Sequence, residues 1–209
     1  MRIAIMALAA ALSLAPARAG EAGEGPPSFQ TITPIFSELV MVTLPAGFKT
    51  AFENVNGGSY IREAVLVGET VDRWTEMVTL TGAQDLAKKS DLDPDDVIDE
   101  IAKGFKKACP ETFATSDLGE IEFDDYDAHA AIVGCGAVGG HSEVAMIIAV
   151  EGSADYYTIQ WAERGAPLDG PPEFDESVWS ERRERLKPIR ICERVPGENA
   201  PFPSCAAGE

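Results

Sequence analysis

Basic residues are scarce in this sequence. It holds 17 lysines and arginines against 35 aspartates and glutamates, so its formal net charge is −18 at pH 7. A surface of that sign repels phosphate backbones and anionic lipid headgroups. Nucleic-acid binding and adsorption to an acidic membrane are therefore disfavoured. The negative charge is typical of a soluble protein, and it also suits attraction of cations or of a basic partner.

Long apolar runs are lacking after residue 19, where no run approaches the roughly 20 residues that a membrane-spanning helix needs. The apolar stretch Ile3 to Leu14 is also shorter than that, follows Arg2, and precedes the small-x-small pattern of Ala17-Arg18-Ala19. We therefore predict a signal peptide over residues 1–19 and a mature chain that is periplasmic or secreted. Removing its two arginines takes the formal net charge from −18 to −20.

The cysteines are few and widely spaced. There are four, Cys109, Cys135, Cys192 and Cys205, and none belongs to a Cys-x-x-Cys pair. This spacing argues against zinc fingers and thioredoxin-type redox motifs. An even number of cysteines in an exported chain indicates structural disulfides. Of the three possible connectivities, we favour the pairs nearest in sequence, Cys109–Cys135 and Cys192–Cys205, with a metal site as the alternative.

Histidine is rarer still, because only His129 and His141 are present. They flank a predicted hairpin and could approach each other across its paired strands. Carboxylates that would complete a mixed histidine–carboxylate metal site are those of Glu143, Asp124, Asp125 and Asp127. The alternative is two histidines that serve packing and hydrogen bonding. Since no His-Glu-x-x-His or Gly-x-Ser-x-Gly motif occurs, we assign no catalytic or metal-binding residue.

Two further motifs resemble ligand sites but have simpler explanations. Gly134 to Gly139 matches Gly-x-Gly-x-x-Gly, which binds dinucleotides only where a helix follows directly. Here the β-prone run Glu143 to Val150 follows, so we predict a hairpin turn and no cofactor. The acidic bend Asp124-Asp125-Tyr126-Asp127 lacks the loop length and glycine of a calcium site and is interpreted as a solvated turn. Asp91, Asp93, Asp95 and Asp96 are explained by capping of a helix.

Aromatic residues accompany the remaining candidates. Glu76, beside Trp74, is the best single candidate for a buried acid, with a solvent-facing strand residue as the alternative. Tyr156, Tyr157 and Trp161 alternate along one strand and could line a ligand groove. The simpler expectation is that these three aromatic side chains belong to the core.

Apolar periodicity and turn residues predict the elements of the fold. A helix begins after Asp93 at Pro94 and ends before Pro110, with Val97, Ile98, Ile101 and Phe105 on one face. A second helix, capped by Asp175, covers about Glu176 to Lys187. Strands are predicted over Glu38–Leu44, Lys49–Glu53, Tyr60–Val67, Arg73–Leu80, Glu120–Phe123, His129–Cys135, Glu143–Val150, Tyr156–Glu163 and Ile189–Cys192.

This element order resembles the PsbP-like fold over Glu38 to Cys192, with Leu44-Pro45-Ala46-Gly47-Phe48 between early strands and Trp74-Thr75-Glu76 in the fourth strand. The resemblance implies an α+β fold in which an antiparallel sheet is flanked by two helices, an α/β/α sandwich. It also implies partner binding rather than catalysis, as analogy at the level of the fold.

We therefore predict a signal peptide over 1–19, a flexible lead-in over 20–36, one α+β domain over 37–192 and a Pro/Gly-rich tail over 193–209. The predicted function is that of an exported acidic module, without cofactor or catalysis, that binds a partner protein or a small ligand. The alternative is a metal-dependent or hydrolytic enzyme that uses the hairpin of His129 and His141 with nearby acids.

Overall fold

The computed structural model describes residues 27–89, 91–121, 123 and 126–206 of the 209-residue chain. The predicted signal peptide, Asp124 and Asp125 lie outside the described residues. The strands are β1 Phe29–Ile35, β2 Glu38–Leu44, β3 Phe48–Asn56, β4 Ser59–Leu66, β5 Glu76–Ala83, β6 Phe113–Glu120, β7 Ala128–Val138, β8 His141–Glu151, β9 Tyr156–Gly165 and β10 Arg190–Glu193. The helices are α1 Leu86–Lys89, α2 Pro94–Ala108, α3 Glu176–Leu186 and α4 Pro203–Ala206.

The strands form two antiparallel sheets. The larger has the order β3-β4-β5-β9-β8-β7-β6, and the smaller has the order β1-β2-β10. The helix α2 packs on one face of the larger sheet, whereas α3 and the smaller sheet cover the other face. The predicted α+β fold, an antiparallel sheet with a helix on each face, is confirmed. The smaller sheet is an additional layer that the sequence analysis does not contain.

The two faces of the larger sheet bury separate apolar clusters. Trp161, which is fully buried, lies in the cluster on the α3 side and contacts Phe48 edge to face with ring centroids 5.3 Å apart. The cluster on the α2 side includes Trp74, Ile98 and Ile147. Because β8 has apolar side chains on both faces, it reads as an almost continuous apolar run and forms the centre of the sandwich.

Strand β2 is buried along its whole length. It lies between β1 and β10 in the smaller sheet, and its Val40 and Val42 pack into the cluster beneath α3. On the other side, Leu39 and Met41 contact the C-terminal segment through Cys205 and Phe202. A strand covered on both faces has an unbroken apolar run, which is how Glu38–Leu44 is recognised in the sequence.

Helix α2 confirms the local signals that predict it. Pro94 is its first residue, and the Asp96 carboxylate accepts a hydrogen bond of 3.1 Å from the backbone N–H of the cap residue Asp93. Its apolar face packs on β7 and β8. None of the helices among the described residues combines the length and the apolar character needed to cross a membrane.

Two boundaries predicted from the sequence were wrong. Residues 29–35, expected in a flexible lead-in, form β1, which pairs with β2 along its full length. The strand expected over Glu120–Phe123 lies earlier, as β6 over Phe113–Glu120 at the edge of the larger sheet. Both are edge strands whose residues, apart from the buried Ile35, are exposed or half-buried, so they lack the apolar alternation that identifies the other strands.

The four cysteines form two disulfides, Cys109–Cys135 and Cys192–Cys205, the pairs favoured from the sequence. The first links the end of α2 to β7. The second links β10 to α4, so the Pro/Gly-rich segment after residue 192 returns to the domain and covers part of β2.

Removing either disulfide is expected to destabilise the fold. Replacing both cysteines by alanine is expected to lower the free energy of unfolding by about 3.5 kcal/mol for Cys109–Cys135 and by about 3 kcal/mol for Cys192–Cys205, since the first closes the longer loop. Urea unfolding of the two double variants beside the oxidised parent measures both values. A loss below about 1 kcal/mol for both pairs would contradict a stabilising role.

Candidate functional site

A short basic segment interrupts the acidic chain. Residues 182–190 carry five of the cations, Arg182, Arg183, Arg185, Lys187 and Arg190, and one acid, Glu184. They span the second half of α3 and the start of β10. The segment is therefore strongly positive on a protein whose net charge is −18. The sequence analysis does not recognise it as a site, although its charge is readable from the sequence.

Two of these cations hold α3 on the larger sheet. Arg182 Nε donates a hydrogen bond of 2.6 Å to Glu163 Oε1. The guanidinium groups of Arg182 and Arg185 lie 5.4 Å and 4.7 Å from the ring centroid of the buried Trp161. Burial lowers the pKa of Arg182, but the hydrogen bond with Glu163 and its charge outweigh burial, so the pKa is raised overall. These two side chains therefore have a structural role.

The other three cations, Arg183, Lys187 and Arg190, line a cleft of about 660 Å³, here called the basic cleft. Its remaining lining residues are mainly apolar and come from β6, the segment after it, β8 and the connection between α3 and β10: Leu118, Glu120, Ile121, Phe123, Ile148, Pro188 and Ile189. The volume lies in the range of small-molecule sites. Three cations and one acid around an apolar floor favour a ligand that is both anionic and partly apolar.

The cations of the basic cleft are only partly satisfied. Lys187 Nζ pairs with Glu184 Oε1 at 2.7 Å, and both side chains are about half exposed. Arg183 Nε is buried and has no hydrogen-bond partner among the described residues. A buried donor without an acceptor is unfavourable, and an anionic ligand would supply the missing acceptor.

The two histidines do not approach each other, so the alternative of a shared metal site is wrong. In the register of the β7–β8 hairpin, His129 pairs with Ala149, whereas His141 pairs with Val138 next to the turn. A strand rises about 3.3 Å per residue, so the two side chains are separated by roughly 25–30 Å. They lie at opposite ends of the same hairpin, and this separation rules out a metal site that contains both.

Each histidine has a local carboxylate partner instead. His129 Nε2 lies 2.7 Å from Oδ1 of Asp117 on the edge strand β6. The hydrogen bond from the backbone N–H of Gly119 lowers the pKa of Asp117 most, and the hydrogen bond with His129 lowers it further.

Among the described residues, one group of three carboxylates lies close enough to share an ion: Asp93, Asp95 and Asp96. They are exposed at the start of α2, where they complement the helix dipole. They carry no site.

His141 belongs to a different group, here called the His141 cluster: His141, Glu143, Arg164 and Trp74. Glu143 Oε2 accepts a hydrogen bond of 2.8 Å from Arg164 Nε and lies 3.4 Å from His141 Nε2. The Arg164 guanidinium carbon lies 3.8 Å from the ring centroid of Trp74. The cluster is therefore a hydrogen-bonded group of one histidine, one acid and one arginine, with Trp74 stacked on the arginine.

Glu76 is a half-buried acid in the structure. It lies directly opposite Glu163 in the register of β5 and β9. Burial raises the pKa of Glu76, and the charge of Glu163 raises it further. Trp74 packs on the α2 side, so these two neighbours in sequence do not form one site. Glu76 faces Arg182 in an ionic network that supports α3.

The other aromatic candidates belong to the core. Tyr156, Tyr157 and Trp161 are 2%, 0% and 0% exposed, so they line no ligand groove.

Tyr157 lies between two buried acids that the sequence analysis misses, Glu38 and Asp155. Burial raises the pKa of Tyr157, and the charge of Glu38 raises it further, so its hydroxyl remains a donor.

Asp155 connects three loops. Its carboxylate accepts hydrogen bonds from the Ser37 N–H at 3.0 Å, the Ser37 hydroxyl at 2.5 Å, the Asp85 N–H at 2.7 Å and the Tyr157 hydroxyl at 3.2 Å. Burial alone would raise the pKa of Asp155, but these donors lower it overall. A buried carboxylate with four donors is a structural anchor.

The glycine pattern belongs to the β7–β8 hairpin that the sequence predicts, but Gly134 and Gly136 lie within β7 and only its last glycine lies in the turn. No helix follows it, because β8 begins at His141. Gly139 and Gly140 have φ values of 58° and 91° in the turn. A Cβ atom at Gly134 would meet Pro172 Cγ at 2.9 Å and Val144 Cγ2 at 3.0 Å. These glycines therefore serve the turn and close packing.

The fold and the basic cleft together define a disulfide-bonded α+β domain with a cationic cleft on an acidic surface. No protein-family model matches this chain. No curated protein sequence matches it significantly. Solved structures do show similarity. The solution structure of cyanobacterial PsbP (CyanoP) from Synechocystis sp. PCC 6803 is 11% identical with a TM-score of 0.44, covering 80% of this chain and 91% of that chain.

Two further solved structures are similar. LpqN, involved in cell envelope biogenesis of Mycobacterium tuberculosis, is 11% identical with a TM-score of 0.40, covering 79% of this chain and 91% of that chain. A protein from Bacteroides thetaiotaomicron VPI-5482 is 12% identical with a TM-score of 0.42, and the match covers 84% of this chain and 51% of that one. This chain thus spans about half the length of the Bacteroides protein. The PsbP-like resemblance concerns the fold alone and carries no conclusion about activity or partners.

Proposed function

We propose that this chain is an exported, non-enzymatic module that binds a small anionic ligand with an apolar portion in the basic cleft. The observation that carries the proposal is the charge of the cleft. Arg183, Lys187 and Arg190 converge on one cavity in a protein of net charge −18. The net negative charge repels anions in general, whereas the cleft concentrates positive charge and attracts them.

Export is supported by two features of the chain. Residues 1–19 have a basic start, an apolar run and a small-x-small cleavage pattern. Two disulfides persist best in oxidising compartments such as the periplasm or the extracellular space. The expected ligand is therefore one that occurs outside the cytoplasm. A role in nucleic-acid binding remains disfavoured by the charge.

The contacts suit an amphiphilic anion. The apolar portion would cover Leu118, Ile121 and Ile189, while the anionic group would accept hydrogen bonds from the arginines. Decanoate is a suitable probe, with decanol as its uncharged counterpart. We expect saturable binding of decanoate by the mature, oxidised chain and markedly weaker binding of decanol.

Substitutions separate the cleft from general charge attraction. Arg183→Gln and Arg190→Gln are each expected to weaken decanoate binding about ten-fold, since a charge-assisted hydrogen bond contributes about 1.5–3 kcal/mol. Lys49→Gln removes one exposed cation from β3, outside the cleft, and should leave the affinity unchanged. Isothermal titration calorimetry measures all three affinities.

Several results would contradict an anion site in the basic cleft. Equal affinities for decanoate and decanol, or no saturable binding of either, would refute an anion site. Glu122, Asp124 and Asp125 adjoin lining residues in the sequence and lie outside the described residues. If Arg183→Gln destabilises the fold while decanoate fails to bind the parent, Arg183 serves the fold and the proposal would be wrong.

A further inference from the structure

A second cavity lies at the C-terminal end of α2, on the face of the larger sheet opposite to α3. It has a volume of about 390 Å³ and is here called the α2 pocket. Its walls are largely apolar, with Ile101, Phe105 and Ala108 from α2 and Val138 from the β7–β8 hairpin. Three members of the His141 cluster, His141, Glu143 and Arg164, form its polar side.

The polar side of the α2 pocket is held in place by contacts outside the pocket. Arg164 and Glu143 are direct partners in the register of β8 and β9. The backbone N–H of Arg164 donates a hydrogen bond of 2.9 Å to the carbonyl of Thr75, next to Trp74. Since Trp74 stacks on the guanidinium, the orientation of Arg164 is fixed before any ligand arrives.

The charges of the α2 pocket cancel. The Glu143 carboxylate and the Arg164 guanidinium form an ion pair with N and O atoms 2.8 Å apart. The Arg164 side chain uses Nε for this contact, and its other guanidinium N–H groups have no hydrogen bond to the described residues. The pocket thus offers hydrogen-bond donors on an apolar wall without attracting an ion of either sign.

Gly104, on the α2 wall of the pocket, indicates that the pocket is kept open for a ligand. It lies inside α2 and lines the pocket. Glycine in a helix interior is less stable than alanine by about 0.5–1 kcal/mol. A Cβ atom at Gly104 would meet nothing within 4 Å, so packing within the chain does not require glycine there. Glycine keeps the pocket open at a small loss of helix stability.

We propose that the α2 pocket binds a small, uncharged and mostly apolar molecule that carries one hydrogen-bond acceptor, such as a carbonyl oxygen. The apolar part lies between Phe105 and Val138, and the acceptor receives a hydrogen bond from Arg164. This ligand class differs from the amphiphilic anion of the basic cleft, and the two sites occupy opposite faces of the larger sheet. The proposal does not depend on the proposed function.

The test is a ¹H–¹⁵N NMR titration of the mature, oxidised chain with acetophenone, an aromatic ketone. We expect saturable shifts at Gly104, Ala108 and Val138. Benzoate, its anionic analogue, should bind less well, because the ion pair leaves no net positive charge in the pocket. Shifts at Ile121 and Ile189 instead would place acetophenone in the basic cleft and overturn the proposal.

Matched variants decide whether the pocket itself is responsible. Gly104→Leu fills the mouth of the pocket and should weaken acetophenone binding about ten-fold or more. Lys107→Leu adds the same side chain on an exposed part of α2 and should leave binding unchanged. Gly104→Ala should raise the free energy of unfolding by about 0.5–1 kcal/mol and weaken binding less than leucine does. Equal affinity of the Gly104→Leu variant and the parent, or an absence of saturable shifts, would refute the proposal.

Discussion

Gly136→Ala is expected to lower the free energy of unfolding by about 3 kcal/mol or more, because the position has no room for a side chain. A Cβ atom there would overlap the backbone carbonyl oxygen of Gly170. Backbone hydrogen bonds fix Gly136 on both sides: Leu168 N–H donates to the Gly136 carbonyl at 2.8 Å, and Gly136 N–H donates to the Thr112 carbonyl at 2.9 Å. Relief of the overlap would break at least one of them.

The matched control is Gly170→Ala, on the other side of the same contact. A Cβ atom at Gly170 would meet nothing within 4 Å, so this variant should unfold within about 0.5 kcal/mol of the parent. Urea unfolding at neutral pH compares the two variants. If both are equally stable, the close approach of the two segments is not maintained in solution, and the packing origin of the glycine pattern is wrong.

Asp155→Ala is expected to destabilise the domain by about 3 kcal/mol or more, since it removes a buried carboxylate and leaves several N–H and O–H donors without an acceptor. Those donors belong to the turn between β1 and β2, the loop after β5 and strand β9. Asp127→Ala, at an exposed position, provides the control and should change stability by less than about 0.5 kcal/mol. A similar small loss for both variants would show that the three loops hold together without Asp155.

The stabilisation from Asp155 depends on pH with a defined sign. Its pKa is lower in the folded protein than in the unfolded chain, where aspartate titrates near about 3.9. The contribution is therefore complete above that value and is lost as the pH falls through the lower folded pKa. We expect the stability difference between the parent and Asp155→Asn to shrink below about pH 4. A difference that stays constant or grows in acid would contradict this linkage.

Elements with strong local signals were predicted from the sequence. Helix α2 has its cap, proline and apolar face within one stretch of residues, so its start at Pro94 is confirmed. Strand β2 is recognised by its continuous apolar run. Strand β6, with the sequence FATSDLGE, has no such pattern. It is a strand because β7 supplies its hydrogen bonds, and sequence periodicity does not report that pairing.

The candidate site was harder to predict than the fold. The basic cleft combines Leu118 and Ile148 with Arg183 and Arg190, which are far apart in the sequence. The sequence does show the local excess of cations over residues 182–190, but not which of them support α3 and which reach the cleft. The hypothesis that His129 and His141 share a site was wrong because they lie at opposite ends of a long hairpin. Two residues that are close in the sequence can still be far apart along extended strands.

The smaller sheet joins an early strand, β2, to β10, which comes much later in the chain. Strand β2 lies near the start of the domain, but three of its neighbours, α3, β10 and α4, follow all the other described elements in the chain. During synthesis from the N-terminus, the apolar side chains of β2 are therefore exposed until α3, β10 and α4 have been made. Residues 176–206 act as a closing segment, and a variant that lacks them would expose Leu39, Met41 and Val42.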